Sequence, residues 1–226
     1  MLREIRLLNP GNEPVPPFAD LAVTGVAYDH RRVVPGAVFV CLRGQTHDGH
    51  EFAPAAVAAG ASLVMGERPG LAVPIDPAGY LRVDDARAAL ALLSCAFYRH
   101  PSRDLALTGV TGTNGKTSFT YLLHAVHREA GLASAILGTL GSGTPGCGVA
   151  DAGADARADA GTNRVPHGAI ASVPWQPGTH TTPESPDLQA ELSRWRKGGI
   201  GAGVMEVSSH GLALRRTYGT RFACVV

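Results

Sequence analysis

Short apolar runs and helical spacings take turns along the first hundred residues. Residues 21–29 (LAVTGVAYD) read as a strand, 33–36 (VVPG) as a turn and 37–42 (AVFVCL) as a buried strand. After the polar loop 43–50, the alanine-rich 51–60 predicts a short helix stopped by Gly60, with Pro54 confined to its first turn. Strands follow at 61–67 and 80–83. Either Asp84 or Asp85 then caps a helix through ARAALALLSCAFYRH, which ends before Pro101. Alternation of this kind predicts a small α/β domain over 1–103, with 101–104 (PSRD) as the joint.

Beyond the joint, LALTGV is a strand, a glycine-rich loop follows, and 116–131 predicts a helix ended by Gly131. Its apolar positions are Phe119, Leu122, Leu123, Val126 and Ala130. A strand at 133–140 completes a strand–loop–helix–strand unit with a right-handed crossover. The pattern then dissolves. From 141 to 178 the chain is rich in Gly, Ala, Asp and Pro and reads as a flexible insert, because few apolar groups offset the ordering entropy. Order resumes at 180–199, where either Ser185 or Asp187 starts a helix. Strands are expected within 201–216 and over 220–226. The second domain is thus 104–226, a P-loop-type α/β unit.

Composition narrows the function. A net charge of +1 gives no electrostatic case for nucleic acid or an anionic membrane. No run approaches the length of a spanning helix, and the polar, proline-broken start is no signal peptide. The four cysteines, Cys41, Cys95, Cys147 and Cys224, lack metal-ligand spacing, so reduced thiols in a cytoplasmic protein are expected. Lysine occurs only at Lys116 and Lys197. One of the two therefore stands directly after Gly115 in the glycine loop.

That loop, TGVTGTNGKTS, is the main chemical signal. Backbone N–H groups from Gly112 to Thr117 at a helix N-terminus suit phosphate oxygens. Lys116 adds a point charge and the Thr117 hydroxyl suits a magnesium ion. Val110 stands where the first glycine of the usual loop pattern belongs. Glu206, in MEVSSH, lies near the end of a buried strand, where α/β sheets place ligand sites; it either partners a cation beside Thr117 or faces solvent. Ser208, Ser209 and His210 are not in a nucleophile elbow, so a serine hydrolase is set aside. TTPE (181–184) offers two hydroxyls to phosphate or carboxylate, or is an ordinary helix-entry turn. The loops around YDHRR and RGQTHDGH form one edge of a ligand site, or are plain turns.

Together these segments resemble the Mur ligases, in particular the branch that adds the third residue of the peptidoglycan stem peptide. The likeness runs along nearly the whole chain except the Gly/Ala stretch. It implies a uridine-nucleotide-binding domain over 1–103, with Tyr28 and His30 in one nucleotide loop and Gln45, Thr46 and His47 in another. It implies ATP phosphates on Gly112, Thr113, Asn114, Gly115, Lys116, Thr117 and Ser118, with Lys116 catalytic and Mg2+ toward Thr117 and Glu206. Thr181, Thr182, Ser208 and Arg216 are implied to hold the UDP-N-acetylmuramoyl-dipeptide substrate. The implied reaction activates a substrate carboxylate as an acyl phosphate and forms an amide with a diamino acid. Two features depart from the family pattern: Asp29-His30-Arg31 replaces Asp-Ser-Arg, and 141–178 replaces a short connection. The resemblance also implies a C-terminal ligase domain that this sequence does not match. The expectation is a truncated central domain, inactive alone, completed by a separate polypeptide or left as a non-catalytic nucleotide-binding remnant.

Overall fold

The apolar run at 37–42 becomes the second strand of a parallel sheet in the computed structural model, which describes residues 21–44, 46–72, 75, 78–147, 170–178 and 180–226. Two compact units emerge. The first runs to His100 and takes in 184–189 and 212–220; the second comprises 101–183, 190–211 and 221–226. The units are therefore not contiguous in sequence, as the expected 1–103 and 104–226 division would make them.

In the first unit, β1 (Val26–Ala27), β2 (Val38–Val40), β3 (Leu63–Gly66) and β4 (Gly79–Arg82) pair in that order, all parallel. Side chains alternate across the sheet. Val38, Val40, Leu63 and Met65 pack against Ala86, Ala89, Leu90 and Leu93 of helix α2 (Ala86–Phe97). Phe39, Cys41 and Val64 face Ala53 and Ala56 of α1 (Ala53–Ala58) on the other side. Burial on both faces is why these strands read as continuous apolar runs. Asp85 is the N-cap of α2, its carboxylate accepting from the Ala88 N–H at 2.8 Å. The strand expected over 21–29 is realised only at Val26–Ala27.

In the second unit the strand order is β10 (Cys224–Val225), β5 (Ala106–Val110), β9 (Ala202–Glu206), β6 (Ser134–Gly138), β7 (Gly141–Gly143) and β8 (Gln176–Pro177). The first four run parallel, and β7 and β8 add an antiparallel edge. Helix α3 (Lys116–Glu129) makes the crossover from β5 to β6. Helix α4 (Ser185–Lys197) carries Trp195, which is fully buried and lies so close to Gly203 of β9 that a β-carbon there would sit 2.7 Å from the indole. Its indole N–H donates to Glu191 at 2.7 Å.

Two expectations are corrected. The 141–178 stretch is not a featureless loop at its ends, because β7 and β8 pair there; residues 148–169 lie outside the described residues. Trp175 supplies the apolar anchor, packing with Val110, Ile136 and Val204, and Gly143 at φ +126° allows the backbone to turn beside it. The second correction concerns α3, where Leu122 is 66% and Val126 61% exposed, while Thr120 and His124 are buried. The helix phase is set by Thr117, which must meet Glu206, and Thr120, Tyr121 and His124 share its face at helical spacing.

Candidate nucleotide and cation site

Sheet register assembles this site in the second unit. Val110, the last residue of β5, pairs with Glu206, the last of β9, and β6 ends alongside at Gly138. Three parallel strands thus finish together, which is where open α/β sheets form ligand crevices. The glycine loop leaves β5 here and turns into α3 through Gly115 at φ +81°, with Gly112 also at positive φ, +135°. Thr111, Gly112, Thr113, Asn114, Gly115 and Ser118 are exposed, whereas Lys116 and Thr117 are half-buried. The Lys116 ammonium folds back onto the loop, donating to the Gly112 carbonyl at 2.6 Å.

Glu206 is 2% exposed. Its Oε1 accepts from the Thr117 hydroxyl at 3.0 Å and the Thr139 N–H at 3.1 Å, and Oε2 accepts from the Thr139 hydroxyl at 3.1 Å. These donors are all neutral, so among them nothing balances the carboxylate charge, and a cation fits this chemistry. Donation to Glu206 also turns the lone pairs of Thr117 Oγ1 away from the carboxylate, free to face a hard cation. Space is tight: a β-carbon on Gly138 would stand 2.2 Å from Glu206 Oε1. The negative charge reaches Tyr121, whose phenol is pushed up by burial and then by Glu206.

Thr181 meets this cluster through a 3.0 Å contact between its hydroxyl and that of Thr139. Thr182 is buried at 1% exposure. Its hydroxyl contacts the Glu206 carbonyl at 3.0 Å and Ser208 Oγ at 3.3 Å, and accepts from the Ser208 N–H at 3.0 Å. Thr182 and Ser208 are therefore brought together, knitting the segment after β9 to the loop before α4. Arg216 belongs to the first unit, where it pairs with Glu184 at 2.9 Å.

The residues expected to contact the uridine nucleotide lie in the first unit. Tyr28 lines a cavity of about 200 Å³ with Asp29, Arg32, Phe97, Tyr98 and Pro186. Its hydroxyl donates to Asp187 at 2.9 Å, and Arg32 reaches the same carboxylate at 2.7 Å. Burial, followed by the Asp187 charge, raises the Tyr28 phenol well above its ordinary value. His30 stacks on Phe52 with centroids 4.7 Å apart, and His47 meets the same ring edge-on at 6.2 Å. Thr46 is exposed, and Gln45 lies outside the described residues. Cys41 is buried, and burial, followed by the Asp48 charge, pushes its thiol up to about 12, which excludes a reactive thiolate.

Residues 110–226 match the Mur ligase middle domain, and residues 22–98 match the domain described as Mur ligase family, catalytic domain. The chain belongs to the Mur ligase family. It is 40% identical over 204 residues to the UDP-N-acetylmuramyl-tripeptide synthetase of Deinococcus radiodurans, covering 90% of this chain and 36% of that protein. It is also 40% identical over 211 residues to the UDP-N-acetylmuramoyl-L-alanyl-D-glutamate–2,6-diaminopimelate ligase of Solibacter usitatus, covering 93% and 37%. A solved structure of a ligase of the latter name superposes with a TM-score of 0.64 at 24% identity, over 95% of this chain and 38% of that one. This Mur ligase chain thus spans little more than a third of the length of these relatives.

Three residues at these clusters, one in the second unit and two in the first, are not among the expected site residues. Thr139 holds both Glu206 oxygens, Asp187 holds Tyr28 and Arg32, and Phe52 gathers His30 and His47. Only Thr139 carried a signal, as a small polar residue directly after a buried strand of an α/β sheet.

Proposed function

We propose that this chain supplies the uridine-nucleotide and ATP-phosphate sites of a peptidoglycan-precursor ligase. That ligase joins a diamino acid to UDP-N-acetylmuramoyl-L-alanyl-D-glutamate in the cytoplasm. The observation that carries the reading is the buried Glu206 carboxylate bonded to Thr117 of the glycine loop. In this reading, backbone N–H groups of Gly112 to Ser118 hold the nucleotide phosphates, and Lys116 exchanges its Gly112 carbonyl for a phosphate oxygen. Thr117 and Glu206 would hold Mg2+, which neutralises phosphate charge when bound. Thr181 and Ser208 present hydroxyls to the acceptor substrate, whose carboxylate is activated as an acyl phosphate before amide formation. Catalysis is then largely positioning and charge neutralisation. In the first unit, the Tyr28 cavity and the His30–Phe52–His47 cluster are assigned to the uridine nucleotide.

A second reading, a nucleotide-binding module without turnover of its own, rests on the same glycine loop and buried Glu206 carboxylate. Calorimetric titration with a non-hydrolysable ATP analogue and magnesium tests the shared core. Binding should weaken at least about tenfold in Lys116→Met, as expected for a lost charge-assisted contact; wild-type protein that does not bind refutes both readings. An ADP-release assay with muramoyl-dipeptide and diaminopimelate separates them, since turnover by the chain alone excludes the second.

A further inference from the structure

The hydroxyl of Thr139 stands between the Glu206 carboxylate and the side chain of Thr181, whose neighbour Thr182 meets Glu206 at its main-chain carbonyl. On one side it reaches Glu206 Oε2 at 3.1 Å, and on the other Thr181 Oγ1 at 3.0 Å. A carboxylate only accepts, and a threonine hydroxyl carries one hydrogen. That hydrogen goes to Glu206, so Thr139 Oγ1 must accept from Thr181. The bonds are therefore ordered in direction: Thr181 donates to Thr139, Thr139 donates to Glu206, and Thr117 donates to Glu206 from the glycine loop.

We propose that Thr139 is a positioning residue that aims the Glu206 carboxylate at the cation and couples that aim to the Thr181 segment. The proposal rests on the nucleotide and cation reading above. Two oxygens held by one residue, through its N–H and its hydroxyl, fix the rotation of the carboxylate as well as its place. The carboxylate sits in the volume that a β-carbon on Gly138 would take, so the glycine opens its place against β6. Partners of this outer kind orient a metal-binding group and typically tune metal affinity about 10–100-fold. An anionic acceptor substrate that draws the Thr181 hydrogen to itself would remove the donor from Thr139 Oγ1. The Thr139–Glu206 bond would then change in strength. The acceptor segment thereby communicates with the cation.

The test is the ratio of ATP-analogue affinities with and without magnesium, measured by calorimetry on the full chain. Thr139 is exposed, so Thr139→Val removes the hydroxyl without opening a core cavity and keeps the N–H donor. The magnesium enhancement should fall about tenfold in Thr139→Val, metal-free affinity should change less than about twofold, and Thr139→Ser should restore the enhancement. Thr181→Val, one bond further out, should shift the ratio in the same direction by about threefold. An unchanged ratio in Thr139→Val, an equal loss of metal-free affinity, or failure of the serine to rescue overturns the positioning role. No shift in Thr181→Val overturns the coupling. Wild-type protein whose analogue binding is indifferent to magnesium overturns both this proposal and the cation reading beneath it. Should the valine variant fail to unfold cooperatively, Thr139→Ala carries the same comparison.

Discussion

His124 lies on the inner face of α3 with 4% of its surface exposed, and its Nδ1 stands 3.2 Å from the Ser134 hydroxyl, on which His127 Nδ1 also converges at 3.0 Å. A serine hydroxyl has one hydrogen to give and two lone pairs to accept with, so at least one imidazole must donate to Oγ. His124 Nε2 is buried without a partner among the described residues. An unpaired lone pair there costs less than an unpaired N–H, which assigns the His124 proton to Nδ1, donating to Ser134. Protonating His124 would bury a charge on that same unpartnered nitrogen. Burial, then the Arg128 and His127 charges, accordingly pull its pKa from 6.5 down to about 4, and burial lowers His127 in the same direction.

A folded-state pKa below the unfolded value means that the unfolded chain binds the extra proton first. The stability is complete above about pH 6.5 and drains as pH falls toward 4, by about 3 kcal/mol from His124 once the window has been crossed. Two carboxylates respond in a lower window. Hydrogen bonds from Arg31 hold Asp29 down to about 2, and at Asp48 burial pushes upward but bonds from His50 prevail, again to about 2. Their stabilisation is complete above their ordinary value near 4 and is lost only as pH falls from there toward 2. Neither therefore adds much slope between pH 7.0 and 4.5. Urea denaturation at pH 7.0 and 4.5, on wild type and His124→Gln, isolates the effect. Wild type should lose most of the 3 kcal/mol, and the variant, less stable at neutral pH, should show a much flatter profile. Parallel profiles, or a wild type indifferent to pH in this range, would refute the burial argument.

Two further outcomes concern the first unit. A β-carbon at Gly66 would stand 2.3 Å from His50 Nε2, and that ring is held by Asp48 at 2.5 Å, so Gly66→Ala should cost about 1–3 kcal/mol in urea unfolding. Asp85→Ala removes the α2 N-cap and the 2.6 Å ion pair with Arg215, and should cost about 1–2 kcal/mol; Asp85→Asn, which keeps the cap, should recover most of it in the same assay.

Much of the scaffold was legible because its signals are local. Continuous apolar runs marked β2 and β3, Asp85 stood where a cap belongs, and the glycine loop with Lys116 announced itself by spacing. The errors came from forces that act at long range. The face α3 turns inward was misread because its phase answers to a hydrogen bond between Thr117 and Glu206, 89 positions apart. Thr139 was missed for the same reason, its partner lying 67 positions away. At the ends of 141–178, the anchoring value of Trp175 was outweighed in the reading by the glycines and alanines around it. Sequence spacing found the glycine loop, and the pairing of strands decided which carboxylate its threonine meets.

Gly138 has one more use. Because Glu206 occupies the volume its side chain would need, adding a single methyl group would displace an acidic oxygen while deleting no charge, no donor and no acceptor. At this position geometry can be altered with the chemical inventory left intact. Here it is one hydrogen wide.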